Sequence, residues 1–255
     1  MRNLIKKLVI GAVALALFIA PALPAAAETA SDADRWEFVG EIYLWGADIG
    51  GEDVAGDDID ISFSDLIDNL DMAFMGSVKG LKGGWSLFGD FIYLDVQDDI
   101  TGTANIIGRP EKTKADVELK AYIGTMGVGH VVMETETSRV DVMLGARYLK
   151  LEADAEFELG SFRTKLSDSG AGWDGIVGIY GIANLNPKWY LNYYADVGTG
   201  ESDLTWQASA SISYRFDKFD TVLGYRYLDY EFDDDAELID NLNISGPFAG
   251  VKFRF

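Results

Sequence analysis

From Trp36 to its last residue the chain is written in a period of two. In the segment Trp189 to Val197, Trp189, Leu191, Tyr193, Ala195 and Val197 share one face, and Tyr190, Asn192, Tyr194 and Asp196 share the other. Just after it, Leu204, Trp206, Ala208, Ala210, Ile212 and Tyr214 alternate with Thr205, Gln207, Ser209, Ser211, Ser213 and Arg215. Side chains two apart point to the same face of a strand, so each such stretch predicts a β-strand with one apolar and one polar face. Further strands are expected at Trp36–Ile49, Asp71–Leu81, Trp85–Val96, Lys114–Gly127, Ser138–Leu151, Gly172–Asn184, Thr221–Phe232 and Ile244–Phe255. Trp85–Val96 is apolar on both faces apart from Ser86, Asp90 and Asp95, which also describes a strand buried inside a soluble sandwich.

The connections alternate between short and long. Short ones fall at Lys82-Gly83-Gly84, Asn186-Pro187-Lys188, Asp217-Lys218-Phe219 and Glu134 to Thr137. Long ones run Gly50 to Leu70, Asp98 to Thr113, Glu152 to Ala171 and Asp233 to Asn243, with a brief one at Thr199 to Ser202. That parity puts both chain ends on one side and all long loops on the other, as in an up-and-down transmembrane barrel. The expected fold is therefore all-β, a closed antiparallel barrel of about 10 strands, or 8 where residues 129–138 and 153–171 are strand extensions rather than connections. Closure follows from the solvent: in hydrocarbon an open sheet edge leaves backbone groups unpaired at several kcal/mol each. Trp36, Trp85, Trp173, Trp189 and Trp206 sit near expected strand ends, where amphipathic rings meet the membrane interfaces.

Ahead of the strands, Arg2, Lys6 and Lys7 precede an uncharged apolar run, Leu8 to Ala20, and Ala25-Ala26-Ala27 follows two prolines. The run is too short to span a membrane as a helix, and the small-residue motif marks a cleaved signal peptide at residues 1–27, leaving 28–255 as one domain. Cleavage removes three basic residues and no acidic one, moving the formal charge from −21 to −24. So acidic a chain repels nucleic acid and favours cations or basic partners. With no cysteine there are no disulfides, thiol nucleophiles or thiolate metal sites.

At the chain end, Val251, Phe253 and Phe255 alternate with Lys252 and Arg254. This resembles the carboxyl-terminal recognition strand of bacterial outer-membrane barrels, and the whole is similar in general pattern to the small OmpA, OmpX and OmpW type barrels. The resemblance implies an outer-membrane location, a monomer in contact with lipid and lipopolysaccharide, and Val251, Phe253 and Phe255 as the signal to the outer-membrane assembly machinery. It carries over no functional residue.

With apolar faces toward lipid, the polar faces line the lumen: Glu41, Lys79, Asp90, Glu118, Lys120, Asp141, Arg147, Asp174, Asp196, Arg215, Arg226, Lys252 and Arg254 are expected there. In so narrow a barrel they either form a cross-lumen network that plugs it or line a narrow passage for small solutes, and a plug is favoured because side chains nearly fill such a diameter. Acidic residues crowd the first long loop (Asp48, Glu52, Asp53, Asp57, Asp58, Asp60, Asp65, Asp68, Asp71) and the last (Asp229, Glu231, Asp233, Asp234, Asp235, Glu237, Asp240). Solvated charge accounts for them; the alternative is a binding surface for divalent cations, lipopolysaccharide or a basic partner. Phe63, Leu66, Ile67 and Leu70 fall at helical spacing behind Ser62 and Ser64, predicting a short helix in the first loop. The only histidine, His130, is expected near the end of the barrel that carries the short turns, away from the long loops. A histidine-based hydrolase is therefore not expected, nor is a cofactor. The expected function is an envelope-structural barrel or a narrow channel.

Overall fold

The computed structural model describes residues 35–53, 58–106, 109–159, 162–232 and 239–255. The expected signal peptide, Asp57 and the acidic run Asp233–Glu237 lie outside them. The elements are β1 (Glu37–Trp45), β2 (Asp48–Asp53), β3 (Asp58–Ile61), α1 (Phe63–Asp68), β4 (Leu70–Lys82), β5 (Trp85–Ile106), β6 (Arg109–Glu134), β7 (Ser138–Leu159), β8 (Phe162–Asn184), β9 (Trp189–Gly200), β10 (Leu204–Arg215), β11 (Asp220–Glu231) and β12 (Ile239–Arg254).

From β4 to β12 each strand pairs antiparallel with the next, and β1 pairs with both β4 and β12. The sheet is thereby a closed barrel of 10 staves. Twelve strands make ten staves because β2 continues β1, with Trp45 opposite Phe248 and Asp48 opposite Ser245 in one unbroken register, while β3 folds back on β2 alone. The seam is closed to the last residue: the Phe255 amide donates to the Phe38 carbonyl at 2.9 Å and the Phe38 amide donates to the Phe255 carbonyl at 3.2 Å. At the tight turn between β4 and β5 Lys82 pairs with Trp85, and Gly83 takes φ 57°, a left-handed backbone that glycine adopts without strain.

The outer surface reverses the soluble pattern. Ile42, Leu44, Val78, Leu144, Val177 and Leu223 stand exposed around it. Two aromatic rings bound this band. Trp85 against His130 and Trp189 against Tyr214 mark the end near the chain termini. Tyr93 against Tyr122, Tyr148 against Trp173 and Trp206 against Tyr227 mark the far end. Trp85 to Tyr93, and likewise Trp206 to Tyr214, is about nine residues of strand, the length a tilted strand needs to cross hydrocarbon.

Four staves run well past that band. β5, β6, β7 and β8 have 22, 26, 22 and 23 residues against 12 in each of β9, β10 and β11. The stretches Asp98–Thr113 and Glu152–Ala171, expected as loops, are therefore largely strand, rising as a projecting sheet. Its outward face is a ladder of ion pairs: Lys150 with Glu152 at 2.6 Å, Lys165 with Asp154 at 3.1 Å, and Arg163 with Glu156 and Glu158. Exposed pairs of this kind add about 0–1 kcal/mol each. Their effect is to keep the extension wettable while its backbone stays paired. Hydrogen bonds from Ser167 and Lys165 hold the Asp154 carboxyl below its ordinary value, and the Glu152 carboxylate raises the Lys150 ammonium.

The hairpin β2–β3 leads into α1. Ser62 caps the helix, its Oγ accepting from the Asp65 amide at 3.3 Å, and Asp65 lies in the first turn near the positive end of the peptide dipoles. Leu66, 6% exposed, points from α1 into the apolar cluster in the upper lumen. Leu66→Ala should cost about 2 kcal/mol, the low end for a buried leucine because the loop can partly settle into the space. The denaturant midpoint of the folded barrel in micelles reads this directly.

Candidate functional site

The lumen is stacked in layers. Nearest the termini is a mouth of charged and aromatic groups. Asp220 accepts from the Tyr190 hydroxyl at 2.5 Å and from Arg254. Arg215 lies over the Tyr190 ring, 4.3 Å from its centroid, and donates to the Asn184 side chain. Lys252 Nζ stands 3.6 Å from Glu41 Oε2, and Lys79 Nζ 3.6 Å from Asp141 Oδ2, the second carboxylate being shared with Arg139 at 2.8 Å. These groups come together because β4, β1 and β12 are neighbours: Glu41 pairs directly with Lys252, and Lys79 sits one step diagonally across from Glu41.

Above the mouth is a cavity of about 240 Å³. Its far wall, from β8, β9 and β10, is uncharged and hydroxyl-rich: Tyr180 donates to Asn192 at 3.1 Å, and Asn192 donates to Ser213 at 3.1 Å. Its roof is a cross-barrel network. Arg226 donates to Asp90 at 2.8 Å, to the Tyr43 hydroxyl at 2.7 Å and to Gln207 at 3.1 Å, and Tyr43 donates to Asp90 at 2.8 Å. One layer higher, Arg147 reaches Asp196, Thr205 at 2.9 Å and Thr125 at 3.4 Å. Asp174 accepts from the Ser202 amide and hydroxyl at 2.9 and 2.6 Å, tying the β9–β10 turn to the wall.

Beyond these layers the lumen turns apolar. Trp45, Met75, Ile92, Ile123, Leu149, Leu228, Tyr230, Leu242 and Ile244 come from seven adjacent staves, β11 and β12 through β1, β4, β5 and β6 to β7, and belong to its one buried apolar cluster among the described residues. Leu228 and Tyr230 are fully buried. A polar lower lumen is thus closed by an apolar upper one.

Of the thirteen charged positions expected in the lumen, Glu41, Lys79, Asp90, Asp141, Arg147, Asp174, Asp196, Arg226 and Lys252 point inward, and Arg215 and Arg254 sit at the mouth. Glu118 and Lys120 do not. They pair with each other on the outward face of β6, opposite Gln97 and Asp95, just past the Tyr93–Tyr122 contact. Above that ring of aromatics the exterior is water and the interior is apolar, so the charged face of the strand turns outward. Val251, Phe253 and Phe255 lie on the outer face of β12, alternating with inward Lys252.

His130 packs on Trp85 outside the barrel and takes no part in the cavity. Among the described residues no three carboxylates or histidines converge as metal ligands. In the first loop Asp48 is committed to the Phe63 amide at 2.7 Å and Asp65 to the Ser62 hydroxyl at 2.6 Å.

No family model and no curated protein matches the sequence. Among solved structures, the fold is similar to the outer membrane protease OmpT from Escherichia coli, with a TM-score of 0.54 at 10% identity, covering 90% of this chain and 100% of that one. The translocator domain of the autotransporter NalP from Neisseria meningitidis aligns with a TM-score of 0.49 at 12% identity over 98% of this chain and 95% of that one. At 10% identity the likeness to OmpT is one of fold: a closed membrane β-barrel.

Proposed function

We propose that the protein is a structural barrel of the bacterial outer membrane whose lumen is sealed, with residues 1–27 removed on export and with β12 serving as the strand read by the assembly machinery. The termini and tight turns then face the periplasm, and the projecting sheet and first-loop helix face outward among lipopolysaccharide. The observation that carries the reading is the buried apolar cluster of Trp45, Met75, Ile92, Ile123, Leu149, Leu228, Tyr230, Leu242 and Ile244 in the upper lumen. A conducting passage needs a continuous wet path, and this apolar cluster, with two layers of large, mutually bonded side chains beneath it, stands across that path. Desolvating an ion through it costs several kcal/mol at the least.

The experiment is conductance of the purified barrel in a planar bilayer, with insertion established separately by the heat-dependent shift in gel mobility of a closed barrel. Verified insertion with no current steps is the expected result. Discrete steps from inserted protein would replace the sealed barrel by a narrow channel.

A further inference from the structure

On the sealed-barrel reading the cavity in the lower lumen is a blind pocket entered from the terminal end, where the Arg254 side chain that lines it is 51% exposed. Its lining sets Glu41, Asp90 and Asp220 against Lys79, Arg226, Lys252 and Arg254, and not all of these are satisfied. Asp90 with Arg226 and Asp220 with Arg254 are bonded directly, whereas Lys79 and Lys252 each stop at 3.6 Å from the nearest carboxylate oxygen. Lys79 Nζ, Asp141 Oδ2 and Glu41 Oε1 are buried without any hydrogen-bond partner, and of these Lys79 and Glu41 line the cavity. Unspent donors on the Lys79 ammonium and an unspent acceptor on the Glu41 carboxylate thus face one small space, with the Lys252 ammonium beside them, and buried polar groups left in that state cost stability until something bonds them.

We propose that this pocket binds a small zwitterion of amino-acid size, entering from the terminal side. A lone anion would meet Lys79 and Lys252 but also the free oxygen of Glu41; a lone cation would meet the reverse conflict. A molecule carrying an ammonium group and a carboxylate on one carbon bonds all three. Its carboxylate lies between Lys79 and Lys252 and its ammonium group on Glu41 Oε1. The spacing suits it, because Glu41 and Lys252 are directly paired and Lys79 is a diagonal neighbour, distances on the order of 5 and 7 Å between side-chain bases. The Tyr180 and Tyr190 rings frame the pocket, Tyr180 already beneath Lys79 Nζ at 3.1 Å. The inference does not depend on the membrane in which the barrel resides.

The test is equilibrium dialysis of labelled glycine against the full-length protein folded in detergent micelles, with acetate and methylammonium as competitors carrying one charge each. Saturable glycine binding is expected, with either competitor at least about tenfold weaker, the discrimination of one lost charged hydrogen bond. Glu41→Gln and Lys79→Met should each weaken glycine by a similar factor while keeping the heat-dependent mobility shift. Asp141 retains Arg139 in the second variant, so the fold is not left with a lone buried charge. Three results would overturn the proposal: no saturable binding, which makes the pocket a hydrated vestibule; equal competition by acetate or methylammonium, which makes it a simple ion site; or folded variants that bind as the parent does. None of these bears on conductance, so the sealed-barrel reading stands or falls separately.

Discussion

Arg147→Met should lower the unfolding free energy of the barrel by about 3–5 kcal/mol, the largest loss expected from any single lumen substitution. Arg147 is fully buried, and its guanidinium is shared among Asp196, Thr205 and Thr125. Methionine fills most of its volume, so the loss is not one of packing. It comes from Asp196, 6% exposed, which is left charged with its main cationic partner removed. The double variant Arg147→Met with Asp196→Asn should recover most of the loss, because the cost lies in breaking the pair rather than in lacking it. Urea unfolding in micelles, followed by tryptophan fluorescence, gives both numbers if the transition is two-state. A loss below about 1 kcal/mol for Arg147→Met would mean that water reaches Asp196, and the seal would have to be placed higher in the lumen.

The reach of the sequence and its failure have a common physical origin. Strand identity and the inward set from Lys79 to Lys252 were legible because, inside the hydrocarbon band, one face meets lipid and the other meets a polar lumen, so polarity alone assigns the side. Past the upper aromatic ring the two environments exchange. On β6, Met126 and Val128 are exposed outside the barrel, while Glu118 and Lys120, on the same face higher up, meet water. On β7 the exchange falls between Tyr148 and Lys150, and inward Leu149 joins the apolar cluster. A rule that sends every charge to the lumen is wrong from that height upward, which is why Glu118 and Lys120 were misassigned. The apolar plug was hidden for a related reason. Ile92 sits in a strand that is apolar on both faces, and nothing in a two-period pattern separates lipid contact from a dry interior. The signal in the sequence is the charge spacing Glu152, Asp154, Glu156 and Glu158, which continues the strand alternation of Lys150 into a stretch expected as a loop.

Leu144→Arg turns that environmental difference into a number. Leu144 is 64% exposed on the outward face of β7, about midway between the turn at Ser138 and the Tyr148–Trp173 contact. On a water-facing sheet an arginine there would change stability by no more than about 0.5 kcal/mol. In a bilayer the same charge must be dragged to the midplane, at a cost of about 2–4 kcal/mol. The comparison is sharpest against Leu166, which is similarly exposed at 62% but lies on the projecting sheet beyond the aromatic ring. Leu166→Arg should be close to neutral in the same vesicles. Reversible unfolding in phospholipid vesicles would show a gap of at least about 2 kcal/mol between the two variants if the band between the aromatic rings is the one in hydrocarbon. Equal effects would remove the membrane from the account, and the exposed Ile42, Leu44, Val78 and Leu223 would then need a protein partner to cover them.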